Sequence, residues 1–182
     1  MFLLRLRHWQ AFLLLFILPF LLQQAILALL SVSDARLGPA SAMLIDAIPA
    51  TVFTLWMWRV GIWLFRRLPE SIKITPLYFH LSTLYILLYT LLFVYTLAVV
   101  LDSVAGGTLP LGMLILILPM HLFATFVYLY IVYFMARLLL SVEEQRVVDF
   151  GAYAGAYFYF LLLPLGIWFL QPRLRRLHLL EA

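Results

Sequence analysis

PLGMLILILPMHLFATFVYLYIVYFMA, residues 110 to 136, runs for 27 positions without an Asp, Glu, Lys or Arg. At about 1.5 Å of rise per residue, a helix of that length outspans the roughly 30 Å hydrocarbon core of a bilayer. Four further apolar stretches flank it, at residues 9 to 32, 43 to 65, 77 to 101 and 150 to 170, each long enough to cross. The expected fold is therefore all-α, a polytopic transmembrane bundle of five hydrophobic helices, and its solvent is lipid.

Composition removes the alternatives. Hydrophobic residues make up 66% of the chain and charged residues 11%, against about 25% charged in soluble domains. The polar connections at residues 31 to 42, 66 to 76, 102 to 109 and 137 to 149 are loops, which leaves one transmembrane helical domain over residues 1 to 182. With no cysteine, disulfides, thiolate catalysis and cysteine-ligated metal are excluded. The net charge of +4 is spread along the membrane flanks and forms no basic block of the kind that tracks a nucleic acid. The bilayer itself is the first partner, with some attraction to anionic heads.

Arg5 and Arg7 ahead of an apolar run imitate a signal peptide, with Ser31 and Ser33 as small residues for cleavage. A secretory core is about 7 to 15 residues long. This run is longer and is interrupted only by Gln23 and Gln24, so an uncleaved first helix is expected. Thr75 before Pro76 offers an N-cap and a first-turn proline, and Pro110 opens the next helix in the same way. Gly106 and Gly107 mark a short turn between antiparallel neighbours. Ser141 and Glu144 have capping-box spacing, which predicts a brief interfacial helix over 142 to 148, and Asp149 is placed to cap the last helix.

The positive-inside rule then sets orientation. With the N-terminus cytoplasmic, that side collects Arg5, Arg7, Arg66, Arg67, Lys73, Arg137 and Arg146, with Arg59 snorkelling towards it, and the outside holds Arg36 beside Asp34, Asp46 and Asp102. Five crossings put Arg173, Arg175 and Arg176 outside, against the rule. A break at Pro164 and Gly166 into a re-entrant hairpin returns them to the cytoplasm, but such a hairpin must be buried in protein. Five crossings with a kinked last helix is the preferred expectation, because a proline kink is commoner than a re-entrant loop.

Polar groups at membrane depth are candidate functional sites. His121 lies about 15 Å into the fourth helix, and Gln23 and Gln24 lie past the middle of the first, near Pro19. His80 belongs to the first turn of the third helix, about 10 Å from His121 along the normal, so the two do not share a metal. No metal or other cofactor is expected. For His121 a hydrogen bond across the bundle is expected, to a glutamine of the first helix or to Thr125, with a proton relay or ligand contact as the alternative. Tyr78, Ser82, Tyr85, Tyr89 and Thr96 recur on one helical face and read as packing or as a polar path. Gly151 and Gly155, extended by Ala152 and Ala156, form a surface that lets another helix approach closely. Glu143 and Arg146 are spaced to pair on a wet helix face.

Pro119-Met120-His121-Leu122-Phe123, Glu144-Gln145-Arg146 leading to Asp149-Phe150, and Pro164 to Arg173 resemble the second half of a family of small uncharacterised bacterial integral membrane proteins. His8-Trp9-Gln10, Phe12 and Leu68-Pro69-Glu70 are similar too. The resemblance implies a bacterial inner-membrane location and a helical bundle, and it carries no activity or substrate. A more aromatic and alanine-rich stretch from Ala152 to Phe160 departs from it.

The function expected is that of a non-enzymatic accessory or interaction subunit, associating with itself or with another membrane protein. The alternative is a small oligomeric transporter or channel using His121, the two glutamines and the tyrosines. A re-entrant fifth segment favours transport, as does convergence of those side chains on one wet cavity. Pairwise satisfaction with a bare small-residue surface favours a subunit.

Overall fold

The computed structural model describes residues 2 to 32 and 44 to 179. It is helical, with no strand among the described residues. The short α1 (Phe2–Arg5) precedes α2, which starts as His8–Phe12, passes through a π turn at Leu13–Ile17 and continues as Leu18–Val32. Pro19 explains that turn, since it has no N–H for the Leu15 carbonyl and its ring crowds it, so the ladder opens one turn earlier. Then follow α3 (Ile48–Phe65), α4 (Leu77–Ala105), α5 (Leu111–Glu144), α6 (Phe150–Leu161) and α7 (Leu163–Leu179).

Four helices are long and apolar enough to cross a membrane: His8–Leu30, Ile48–Phe65, Leu77–Ala105 and Leu111–Glu144. The expected fifth crossing is not a continuous helix. It breaks at Leu162 (φ −103°, ψ 49°) into arms of 12 and 17 residues. At about 1.5 Å per residue the first arm reaches about 18 Å.

The two arms fold back on each other. A Cβ on Gly166 would overlap the carbonyl oxygen of Tyr159, seven residues earlier, an approach only a sharp reversal produces. Pro164 and Gly166 are the cause, since one cannot continue the backbone ladder and the other removes the side chain that would hold the arms apart. Near the tip the Tyr128 hydroxyl donates to the Leu161 carbonyl at 3.4 Å.

The far end of α7 returns to the end from which α6 began. Arg173 forms a two-pronged ion pair with Glu143 at the end of α5, its Nε 2.8 Å from Oε1. Gln171, fully buried, donates from Nε2 to the carbonyls of Leu3 (2.9 Å) and Leu6 (3.1 Å). His178 packs on Trp63 near the end of α3, with ring centroids 6.1 Å apart. Leu163, Ile167, Leu170 and Leu174 are fully buried along one α7 face, against a core that includes Val60, Leu64, Phe79, Met135 and Leu138. Gly61 lets α3, α4 and α5 close up there, because a Cβ would collide with the Phe79 ring and the Met135 sulfur.

Several boundaries differ from the sequence expectation. Helix α4 starts after Pro76, which is itself the N-cap in place of Thr75, and Pro110 caps α5. No separate helix forms over 142 to 148: α5 runs on to Glu144 and stops where Gln145 turns left-handed (φ 53°). Ser141 is buried inside α5 and caps nothing. Arg146 pairs with Glu144 (2.6 Å), and Glu143 is taken by Arg173. Asp149 is the N-cap of α6 by position, though its side chain makes no capping bond. The α4–α5 turn is as expected, with Gly107 at φ 79°, a conformation glycine adopts without strain. Ser33, Asp34 and Arg36 lie outside the described residues.

Candidate functional site: the intramembrane polar groups

Antiparallel packing of α4 on α5 brings Tyr85, Tyr89 and His121 together. The Tyr89 hydroxyl lies 2.5 Å from His121 Nδ1, Phe93 packs on the imidazole with centroids 5.2 Å apart, and the Tyr85 hydroxyl donates to the Met120 carbonyl at 3.2 Å. Pro119 lies one turn before Phe123, whose ring meets Tyr85 edge-on at 5.0 Å. The partner of His121 is thus a tyrosine of α4. Thr125 bonds instead to the His121 backbone carbonyl (3.0 Å), and the glutamines are elsewhere.

A phenol is the better donor and a neutral imidazole nitrogen the better acceptor, so the hydroxyl donates and the ring proton is assigned to Nε2. Tyr89 is buried, whereas His121 is exposed on the outside of α5, and no partner for Nε2 exists among the described residues.

Gln23 donates to the Asp46 carboxylate at 2.8 Å, just before α3 begins. Gln24 points outward and is exposed. The first-helix glutamines therefore do not meet His121. His80 accepts a hydrogen bond from Trp58 Nε1 at 2.9 Å, near the start of α4. Of the tyrosine face, Tyr78 is exposed, Tyr85 and Tyr89 bond to α5, and Thr96 lines a crevice against it. No group of three His, Asp or Glu side chains arranged for a metal occurs among the described residues.

Gly151 and Gly155 lie bare on α6, with no atom within 4 Å of a Cβ built on either. Ala152 shares that exposure, but Ala156 is turned into the core. The face continues through Phe158 and Leu162 to Leu165, all exposed.

Gln171 was not singled out by sequence reasoning. Its signal was present, since it continues the buried α7 spacing at four residues from Ile167 and three from Leu174. A polar residue in that register must find a partner.

The chain matches no protein-family model, no curated protein and no solved structure.

Proposed function

We propose that this chain is a non-enzymatic interaction subunit of a membrane assembly, multi-pass in a bacterial inner membrane, with its N-terminus cytoplasmic. The observation that carries the reading is His121. An imidazole at membrane depth is expected to face the interior of a bundle, yet this one is bonded on one nitrogen and turned outward on the other. Its surroundings are bare as well, because no residue of α5 before Ala124 is buried. A second chain packed on α4 and α5 supplies the missing interior, and the Gly151 and Gly155 face offers a second close approach.

The orientation follows from charge. In the re-entrant reading α6 enters from the basic end and α7 returns to it, so that Arg173, Arg175 and Arg176 join Arg5, Arg7, Arg66, Arg67 and Arg137 on one side. The bare α6 face bears on the same conclusion. A broken helix at membrane depth has to be covered by protein, and here α5 packs along α6 and the start of α2 along α7, while the outer face of α6 waits for a partner.

A small oligomeric transporter is the second reading, favoured by the hairpin itself. Against it, the buried positions of α7 are apolar apart from Gln171, and the polar pairs lie apart: Gln23 with Asp46, Tyr89 with His121, and Trp58 with His80.

Single-cysteine variants in native membranes test the proposal, since the chain has no cysteine of its own. A photoreactive maleimide on Leu118→Cys or Gly155→Cys is expected to capture a second polypeptide, and on Leu21→Cys, an exposed α2 position, to capture none. Equal yields at all three positions overturn the subunit reading. Leu179→Cys is expected to label from the same side as Ser71→Cys. Labelling with Thr108→Cys instead restores a fifth crossing.

A further inference from the structure

Between α2 and α3 runs a groove of about 380 Å³, walled by Leu14, Leu18, Pro19 and Leu22 on one side and by Val52 and Leu55 on the other. Arg59 is the one charged residue lining it, at the end nearer the basic termini. From Arg59 to Ile48, the lining residues of α3 extend about 17 Å, close to the roughly 15 Å depth of one leaflet's hydrocarbon.

Arg59, like Arg66 and Lys73, has no side-chain partner among the described residues, and what sets it apart is its place on a long apolar groove, whereas other cations are engaged. Arg67 lies over the Trp63 ring at 3.8 Å and donates to the Trp63 carbonyl, Arg137 donates to the Tyr133 hydroxyl, Arg146 pairs with Glu144, and Arg173 pairs with Glu143. Arg59 is exposed, and among the described residues it has neither a carboxylate nor a hydrogen-bond partner. A guanidinium inside a membrane span without an opposite charge is costly. Its long stem reaches back towards the headgroups, where its donor fork matches two oxygens of a phosphate.

We propose that this groove is a binding site for one anionic glycerophospholipid, its phosphate on Arg59 and one acyl chain lying between Leu18 and Leu55. The site complements its ligand twice, with an unpaired cation for the head and a concave apolar wall for the tail. The crevice between α4 and α5 at Leu92 and Leu116, by contrast, holds only about 80 Å³ and has no charged residue in its lining. The groove lies on α2 and α3, so it does not depend on the subunit proposal, and failure of the Leu118→Cys and Gly155→Cys captures leaves it standing.

The test is native mass spectrometry of the full chain released from nanodiscs of equal phosphatidylglycerol and phosphatidylethanolamine. The wild type is expected to retain one phosphatidylglycerol in preference to phosphatidylethanolamine. Arg59→Gln is expected to lose that preference by about tenfold, the scale of one charge-assisted hydrogen bond. Leu18→Trp, which fills the groove and keeps the charge, is expected to lower retention of both lipids, and Leu22→Trp replaces it if it fails to insert. Leu116→Trp, on the exposed face of α5, is expected to change nothing. Equal retention of the two lipids by the wild type, or one adduct pattern for all variants, overturns the proposal.

Discussion

Helices α4 and α5 pass through two environments along their length. Where Phe79 stacks on Phe134 at 4.7 Å, the pair is closed in by Gly61 of α3, and the nearby Leu138 and Leu139 are fully buried. In the other half, around His121, the buried residues of α4 are Tyr89 and Thr96, and no described residue of α5 before Ala124 is buried. Apolar content does not separate these regions, since both are built of leucine and aromatics. Lipid is as apolar as leucine, so hydrophobicity gives helices no reason to associate, and close packing and polar contacts decide where they do. The closed half has Gly61, Gly166, Gln171 and the Glu143–Arg173 pair, whereas the open half has Tyr85, Tyr89 and His121.

The sharpest way to break the contrast is at the hairpin. Gly166→Ala puts a methyl group where the Tyr159 carbonyl already is, and backbone cannot step aside as a side chain can. The expected cost exceeds about 3 kcal/mol, read as loss of the inserted monomer or as a collapse in thermal stability in detergent. Gly155→Ala, on the other arm of the same hairpin, meets no atom and is expected to be neutral or slightly stabilising, as alanine is in a helix. A folded Gly166→Ala protein would mean that the two arms do not pack as described.

Next comes the clasp that ties α7 to α5. The Glu143 and Arg173 side chains are 22% and 31% exposed, enough burial for an orphaned charge to matter. Glu143→Gln or Arg173→Gln alone is expected to cost about 1.5 to 3 kcal/mol, the range for hydrogen bonds to charged groups, seen as a lower melting temperature. The double variant is expected to cost less than the sum of the two singles. Additive losses would show that the residues do not act as a pair.

How far these features could be read beforehand follows from the same physics. The apolar runs of α2 to α5 were legible because length and absence of charge suffice to mark a span. The break in the fifth run was visible as Pro164 and Gly166, but choosing between a kink and a reversal required the packing that Gly166 permits against Tyr159, which no local pattern encodes. Arg173 belonged to that choice, because the positive-inside rule already placed it on the wrong side of a fifth crossing. At the polar site His121 was legible as a polar residue inside a long apolar helix, and its partner was not. Tyr89 and Gln23 sit on different helices at a similar number of turns from the helix start, and only the register of α4 against α5 selects the tyrosine.

The smallest expected effect falls in the open half. Tyr89→Phe keeps the ring and removes the hydroxyl, leaving His121 Nδ1 without its donor, at a cost of about 0.6 to 2 kcal/mol. His121→Leu combined with Tyr89→Phe removes both polar groups and is expected to restore most of that stability, because exchanging a whole hydrogen-bonded pair for apolar groups is nearly neutral. Stability and association then separate. If the outward nitrogen of His121 meets a partner chain, the double variant melts like the wild type and loses capture at Leu118→Cys. If the histidine serves only the α4–α5 contact, capture is unchanged. The bare half of α5 would then be a lipid-facing surface, and the association face would have to be sought at Gly151 and Gly155.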